Sequence, residues 1–150
     1  MKQIIIIAII FASINLFSQT EYNKFEERGS ITIGVLQGGG SLIGADLEFL
    51  LTDYFGFQIG AGMVGFGGGL NYHFKPSIKS SFLSLQYWHQ GIGDSFFQSL
   101  ISSNFVLRFK KLLTAQIGLG IPLERGPAMP NDFKQSPIML TYAIGFYMPF

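Results

Sequence analysis

From Pro137 to Phe150 the chain reads PIMLTYAIGFYMPF, and every second residue, Ile138, Leu140, Tyr142, Ile144, Phe146, Met148 and Phe150, is apolar or aromatic. The positions between them, Met139, Thr141, Ala143, Gly145, Tyr147 and Pro149, are small or mixed. A period of two puts these sets on opposite faces of a β-strand. The run is as long as a tilted strand needs to cross hydrocarbon, roughly 9–11 residues. The same alternation recurs upstream. Ile31, Ile33 and Val35 form a first strand that ends at Gly38-Gly39-Gly40, and Ile43, Ala45, Leu47, Phe49 and Leu51 a second. A third sets Phe55, Phe57, Ile59, Ala61 and Met63 against Gly56, Gln58, Gly60 and Gly62, and the glycines from Val64 to Gly68 predict a turn. The fourth carries Leu70, Tyr72 and Phe74 and the fifth Leu83, Leu85 and Tyr87. The sixth runs from about Leu100 to Phe109, and the seventh from Leu113 to Ile121. With the terminal segment the pattern predicts eight strands, joined by short turns and a longer Pro122–Ser136 connection.

After Ser18 no stretch approaches 18 unbroken apolar residues, so transmembrane helices are not available. In lipid only helices and closed sheets satisfy every backbone N–H and C=O internally. The expected fold is therefore all-β, an eight-stranded antiparallel up-and-down transmembrane β-barrel over residues 30–150. An even strand count puts both termini on one side and assigns the connections near Gly39, Gly65, Gly93 and Pro127 to the outside. A soluble eight-stranded barrel of the lipocalin type has the same alternation turned inside out. The polar face decides between them: it is Gly, Ser, Thr, Gln and Asn with few charges, a poor coat against water and a good lining for a narrow lumen.

The first residues read differently. Lys2 precedes an apolar stretch, Ile4 to Phe17, broken only by Ser13 and Asn15, and Leu16-Phe17-Ser18 suits cleavage. Residues 1–18 are expected to be a signal peptide, too short for a roughly 20-residue membrane anchor. Residues 19–29, with the charged run EYNKFEER, are expected to be a periplasmic lead. Composition sharpens this picture. Only 13% of residues are charged, against about 25–35% on the surface of a soluble domain, while the chain carries 16 Phe and 19 Gly. Loss of Lys2 takes Lys plus Arg from 10 to 9, equal to the 9 Asp plus Glu, and no basic patch points to nucleic acid. The absence of Cys excludes disulfides and thiolate metal sites.

The signal, the alternating segments, the aromatics near strand ends (Tyr54, Phe55, Tyr72, Phe74, Tyr142, Phe146) and the final Phe150 together resemble small bacterial outer-membrane barrels of the OmpA/OmpX type. The resemblance runs from about Ser30 to Phe150 and departs in its very short outer loops near Gly39 and Gly65. It implies an outer-membrane location in contact with lipid. It also implies that the last strand, through Tyr142, Phe146 and Phe150, is the signal read by the barrel-assembly machinery.

Candidate chemistry is sparse. Asp46, Glu48, Arg108 and Lys110 all fall on the predicted inner face, where charges out of water must be paired, so an ion-pair network is expected, with Arg108 against Asp46 or Glu48. Eight strands leave a bore that side chains fill. Trp88 and Tyr147 are the expected plug, with inward Gly44, Gly60, Gly62, Gly118 and Gly120 making room. His73 and His89 lack a third ligand, so neither a metal nor a cofactor is expected. Lipid A-modifying barrel enzymes are the catalytic alternative. The deacylases among them carry His and Ser one residue apart, a motif that His89-Gln90-Gly91 does not match, which leaves His89 meeting Ser102 and Ser103 across two strands. The expected function is structural or surface-interacting, with a plugged lumen that is not a general pore.

Overall fold

The computed structural model describes residues 27–110 and 112–150. The expected signal peptide and most of the charged lead lie outside the described residues. Eight strands form: β1 Gly29–Val35, β2 Ile43–Leu50, β3 Phe55–Gly62, β4 Gly65–His73, β5 Phe82–Gln90, β6 Gln98–Arg108, β7 Leu113–Arg125 and β8 Met139–Pro149. Each pairs antiparallel with the next, and β8 returns to β1, so the sheet is a closed up-and-down barrel. Closure leaves no unpaired strand edge. At the seam Ser30 faces Pro149 and Val35 faces Ile144. Reciprocal main-chain bonds between Gly29 and Phe150, 3.0 and 2.8 Å, extend that seam to the last residue.

Period-two sequence becomes a two-faced wall. Ile33, Leu47, Ile59, Leu70, Leu85, Ile101, Leu119 and Leu140, one from each strand, are exposed on the outside. Inside are Gln58, Asn71, Ser84, Gln86, Asn104 and Thr114, all buried. Outer aromatics pack across strands near the edge that holds the termini, as in Phe49–Phe57 and Phe74–Phe105, with ring centroids 5.6 and 5.7 Å apart. We call this edge the near end, and the opposite edge the distal end.

Three elements differ from the expectation. The expected turn from Val64 to Gly68 is strand from Gly65 onward: β4 begins at Gly65, and the hairpin from β3 is closed by Met63 and Val64 alone. β7 continues past Ile121 to Arg125, and β6 begins at Gln98. The pairing skips Leu123 between Ser99↔Glu124 and Leu100↔Pro122, a bulge that accommodates a proline unable to donate to the ladder. Finally, residues Gln37–Gly40 do not project outward. They form a tight turn with Gly38, Gly39 and Gly40 at positive φ, its first three residues buried, folded into the distal mouth against the walls of β2, β3, β4 and β5. The bare inner walls of Gly60, Gly62, Gly65 and Gly67 make this possible.

Candidate functional site

Among the described residues, buried polar side chains converge inside the barrel, and they do so in levels. At the near end Glu48 on β2 is the hub. Its Oε2 accepts from Arg108 Nη2 at 2.6 Å and from Ser30 Oγ at 3.3 Å. Its Oε1 accepts from Asn71 Nδ2 at 2.5 Å and faces His73 Nε2 at 3.0 Å. Arg108 also donates to Ser30 Oγ at 2.9 Å and to the Ile78 carbonyl. Its guanidinium lies over the rings of Tyr147 and Phe82, 4.5 and 5.1 Å from their centroids. The planar cation is thus in contact with two aromatic rings and a carboxylate. The β4–β5 turn folds Ile78 inward, fully buried, and so closes the near mouth.

The middle level is made of amides. Gln86 Oε1 accepts from Trp88 Nε1 at 2.8 Å, Gln116 Nε2 at 3.1 Å and Asn104 Nδ2 at 3.2 Å. Asn104 Oδ1 accepts from Thr141 Oγ1 at 2.5 Å. Such networks are favourable only when their members are satisfied, and this one is closed on itself. At the distal level Asp46 Oδ2 accepts from Gly38 N at 3.2 Å, and Gln90 Nε2 donates to Gly40 O at 3.4 Å. Gln90 in turn accepts from Gln98, which accepts from Gln135, each at 2.9 Å. A cavity of about 10 Å³ is lined by groups of all three levels, among them Asp46, Glu48, Gln58, Arg108, Thr114 and Gln116. It has room for roughly one water.

Of the residues singled out from the sequence, Glu48 and Arg108 meet, and Asp46 does not join them but holds the inward turn. Lys110 is a correction. Alternation predicts it inward, but β6 ends at Arg108, and Lys110 is exposed in the following turn, outside the lumen. Trp88 and Tyr147 are both buried on the inner face, and Tyr147 donates its hydroxyl to Phe109 O at 3.3 Å. Tyr142, Phe146 and Phe150 are exposed on the outer face. His89 does not meet Ser102 or Ser103. Its register partner is Ser99, while Ser102 faces Gln86 inside and Ser103 faces Leu85 outside. The imidazole is stacked between Phe66 and Phe96, 4.7 and 4.3 Å away.

Sequence reasoning passed over His73, Asn71, Gln58 and Ile78 as site residues. The first three carry a signal, since they stand on the polar face of their strands; Ile78 sits in a Pro-Ser turn and carries none. His73 Nδ1 and Arg108 Nε are the buried side-chain nitrogens without a hydrogen-bond partner among the described residues. No group of three His, Cys, Asp or Glu there is arranged to hold a metal ion. The architecture defines a class, the small eight-stranded antiparallel closed barrel with a polar, filled interior. Comparison of the chain with protein-family models, with curated proteins and with solved structures found no match.

Proposed function

We propose that this chain is a small outer-membrane β-barrel with a structural or surface-interaction role, its lumen filled and not a general pore. The observation that carries the reading is the inverted amphipathy of the wall. Large aliphatic side chains are exposed on all eight strands, and the buried face is mostly hydrogen-bonded amide, hydroxyl and ion pair, with Phe82, Leu100 and Val106 among them. Soluble monomers rarely expose a contiguous apolar patch beyond about 300–600 Å², and a band running round the whole barrel suits lipid. A lipocalin-like ligand binder would need the opposite arrangement, an apolar interior with space in it. Aromatic residues near the strand ends support the same reading, because amphipathic rings favour the interface between headgroups and hydrocarbon.

The test is fractionation with gel mobility. Mature protein should sediment with outer membranes, stay there through a carbonate wash, and change mobility on boiling as closed barrels do. Recovery in the soluble periplasmic fraction would overturn the proposal. Lipid A from cells with and without the protein should have the same mass spectrum; a loss or gain of an acyl chain would replace the structural role with an enzymatic one.

A further inference from the structure

The barrel is not equally tall all round. β1, β2 and β3 have 7, 8 and 8 residues, whereas β6, β7 and β8 have 11, 13 and 11. A tilted strand needs roughly 9–11 residues to cross the hydrocarbon, so β1, β2 and β3, the short wall, fall below that span, while in the tall wall β6 and β8 reach its upper end and β7 exceeds it. The two sides also end in different chemistry. The tall wall carries Glu124, Arg125, Asp132 and Lys134, all exposed. The short wall ends in the turns LQGGGSL (36–42) and GMVG (62–65), which hold no charged residue. At the tips of these turns Leu42, Met63 and Val64 are 65%, 70% and 53% exposed.

Several polar groups of these same turns are bonded within the protein. Leu36 N donates to Leu42 O at 3.3 Å and Ser41 N to Gln37 O at 3.1 Å. Ser41 Oγ reaches Gly38 O at 3.2 Å, and Gly38 N is bonded to lumenal Asp46. In the neighbouring hairpin Met63 N donates to Ile43 O at 3.0 Å, and Val64 O accepts from Gly91 N at 2.7 Å. A turn in water has no need to hide its amides inside a barrel while offering leucine and methionine outward. In hydrocarbon it must, because an unsatisfied backbone group there costs several kcal/mol.

We infer that the distal rim of the β1–β4 side lies within the bilayer, its occupant the acyl chains of the surrounding lipid, so that the leaflet is thinned over this edge and lipid reaches the rim itself. The inference rests on the membrane reading and adds an orientation and a contact that the reading alone does not contain. The lack of cysteine makes it directly measurable. Single-cysteine variants Leu42→Cys, Met63→Cys, Leu119→Cys and Lys134→Cys would carry a nitroxide label in dimyristoylphosphatidylcholine vesicles. Collisions with oxygen, which enriches in hydrocarbon, and with a water-soluble nickel chelate would be compared. Labels at 42 and 63 should favour oxygen, as the mid-wall label at 119 does, and the label at 134 should favour nickel. Nickel preference at 42 and 63 with oxygen preference at 119 would overturn the inference and leave the membrane reading standing. Nickel preference at 119 as well would overturn both. Exclusion of both reagents at 42 and 63 would mean that protein, such as a second copy of the chain, covers the rim, and would also overturn the inference.

Discussion

Arg108 concentrates the energetics of the lumen in one residue. Its side chain and that of Glu48 are 2% and 3% exposed, and they are 2.6 Å apart. Taking one partner from such a pair strands the other charge out of water, at a cost of about 3–5 kcal/mol, whereas replacing both with neutral groups of similar shape is often close to neutral. Arg108→Ala should therefore lower stability by about that amount, and Glu48→Gln with Arg108→Met by clearly less. Urea unfolding from lipid vesicles, followed by the fluorescence of buried Trp88, checks the order. A double variant as unstable as Arg108→Ala would mean that the ring contacts and not the charge pairing hold the site. That the arginine would face an inner acid is legible from the parity of positions along each strand. Which acid it faces is not, because parity fixes the face and leaves the depth open. Asp46 stands two residues nearer the distal end, where Gly38 N takes its Oδ2. Lys110 shows the other limit: parity has no meaning one residue past the end of the ladder.

The inward turn between β1 and β2 is the element that sequence pattern describes least well. Strand count, strand faces and the even closure follow from period two, but a Gly-Gly-Gly tract reads as any tight turn, and nothing local says whether it points out or in. The direction depends on the bare glycine walls of β3 and β4, which are remote in sequence, and the same glycines made the segment from Val64 to Gly68 read as a turn. Two glycines separate backbone strain from packing. Gly39 has φ +80°, and a Cβ there would run into the Phe66 carbonyl. Gly93 has φ +58° with open space around it. A left-handed conformation costs an L-residue roughly 1–2 kcal/mol. Gly93→Ala should lose about that much and no more, while Gly39→Ala should lose more and shift the turn out of the mouth. Urea midpoints of the two variants, with protease sensitivity at residues 36–42, measure both effects; equal losses would show that the turn is not seated as described. On the strands themselves, Leu119→Arg should cost about 2–4 kcal/mol in vesicles if this wall meets lipid. An unchanged midpoint would count against the membrane reading.

The whole molecule is a wall wrapped round three levels of side chains and closed at both mouths, by Ile78 at the near end and by Gln37–Gly40 at the distal end. The barrel's last residue completes the ring in two ways. Its main chain bonds Gly29, and its ring packs edge-on to Phe49, 6.0 Å between centroids. Phe150→Ser keeps the main-chain seam, so purified and refolded protein should be nearly as stable as wild type while the amount assembled in cells falls. Normal assembly of this variant would argue against recognition through the C-terminal strand. The filled interior leads to a prediction about transport that does not depend on either mouth alone. Removing the inward turn would open the distal end, yet the amide level of Gln86, Asn104 and Gln116, with Trp88 above it, still spans the bore. Eight strands leave an interior only wide enough for side chains, and the cavity beside Gln116 has room for roughly one water, too little for a continuous water path. In planar bilayers the purified protein should give no steady conductance. A variant with residues 36–41 replaced by a two-residue Asn-Gly hairpin should remain silent too, and conduction should require Gln86→Ala and Trp88→Ala in addition. Steady ion current through the unaltered protein would overturn the filled-lumen reading and move the function toward transport.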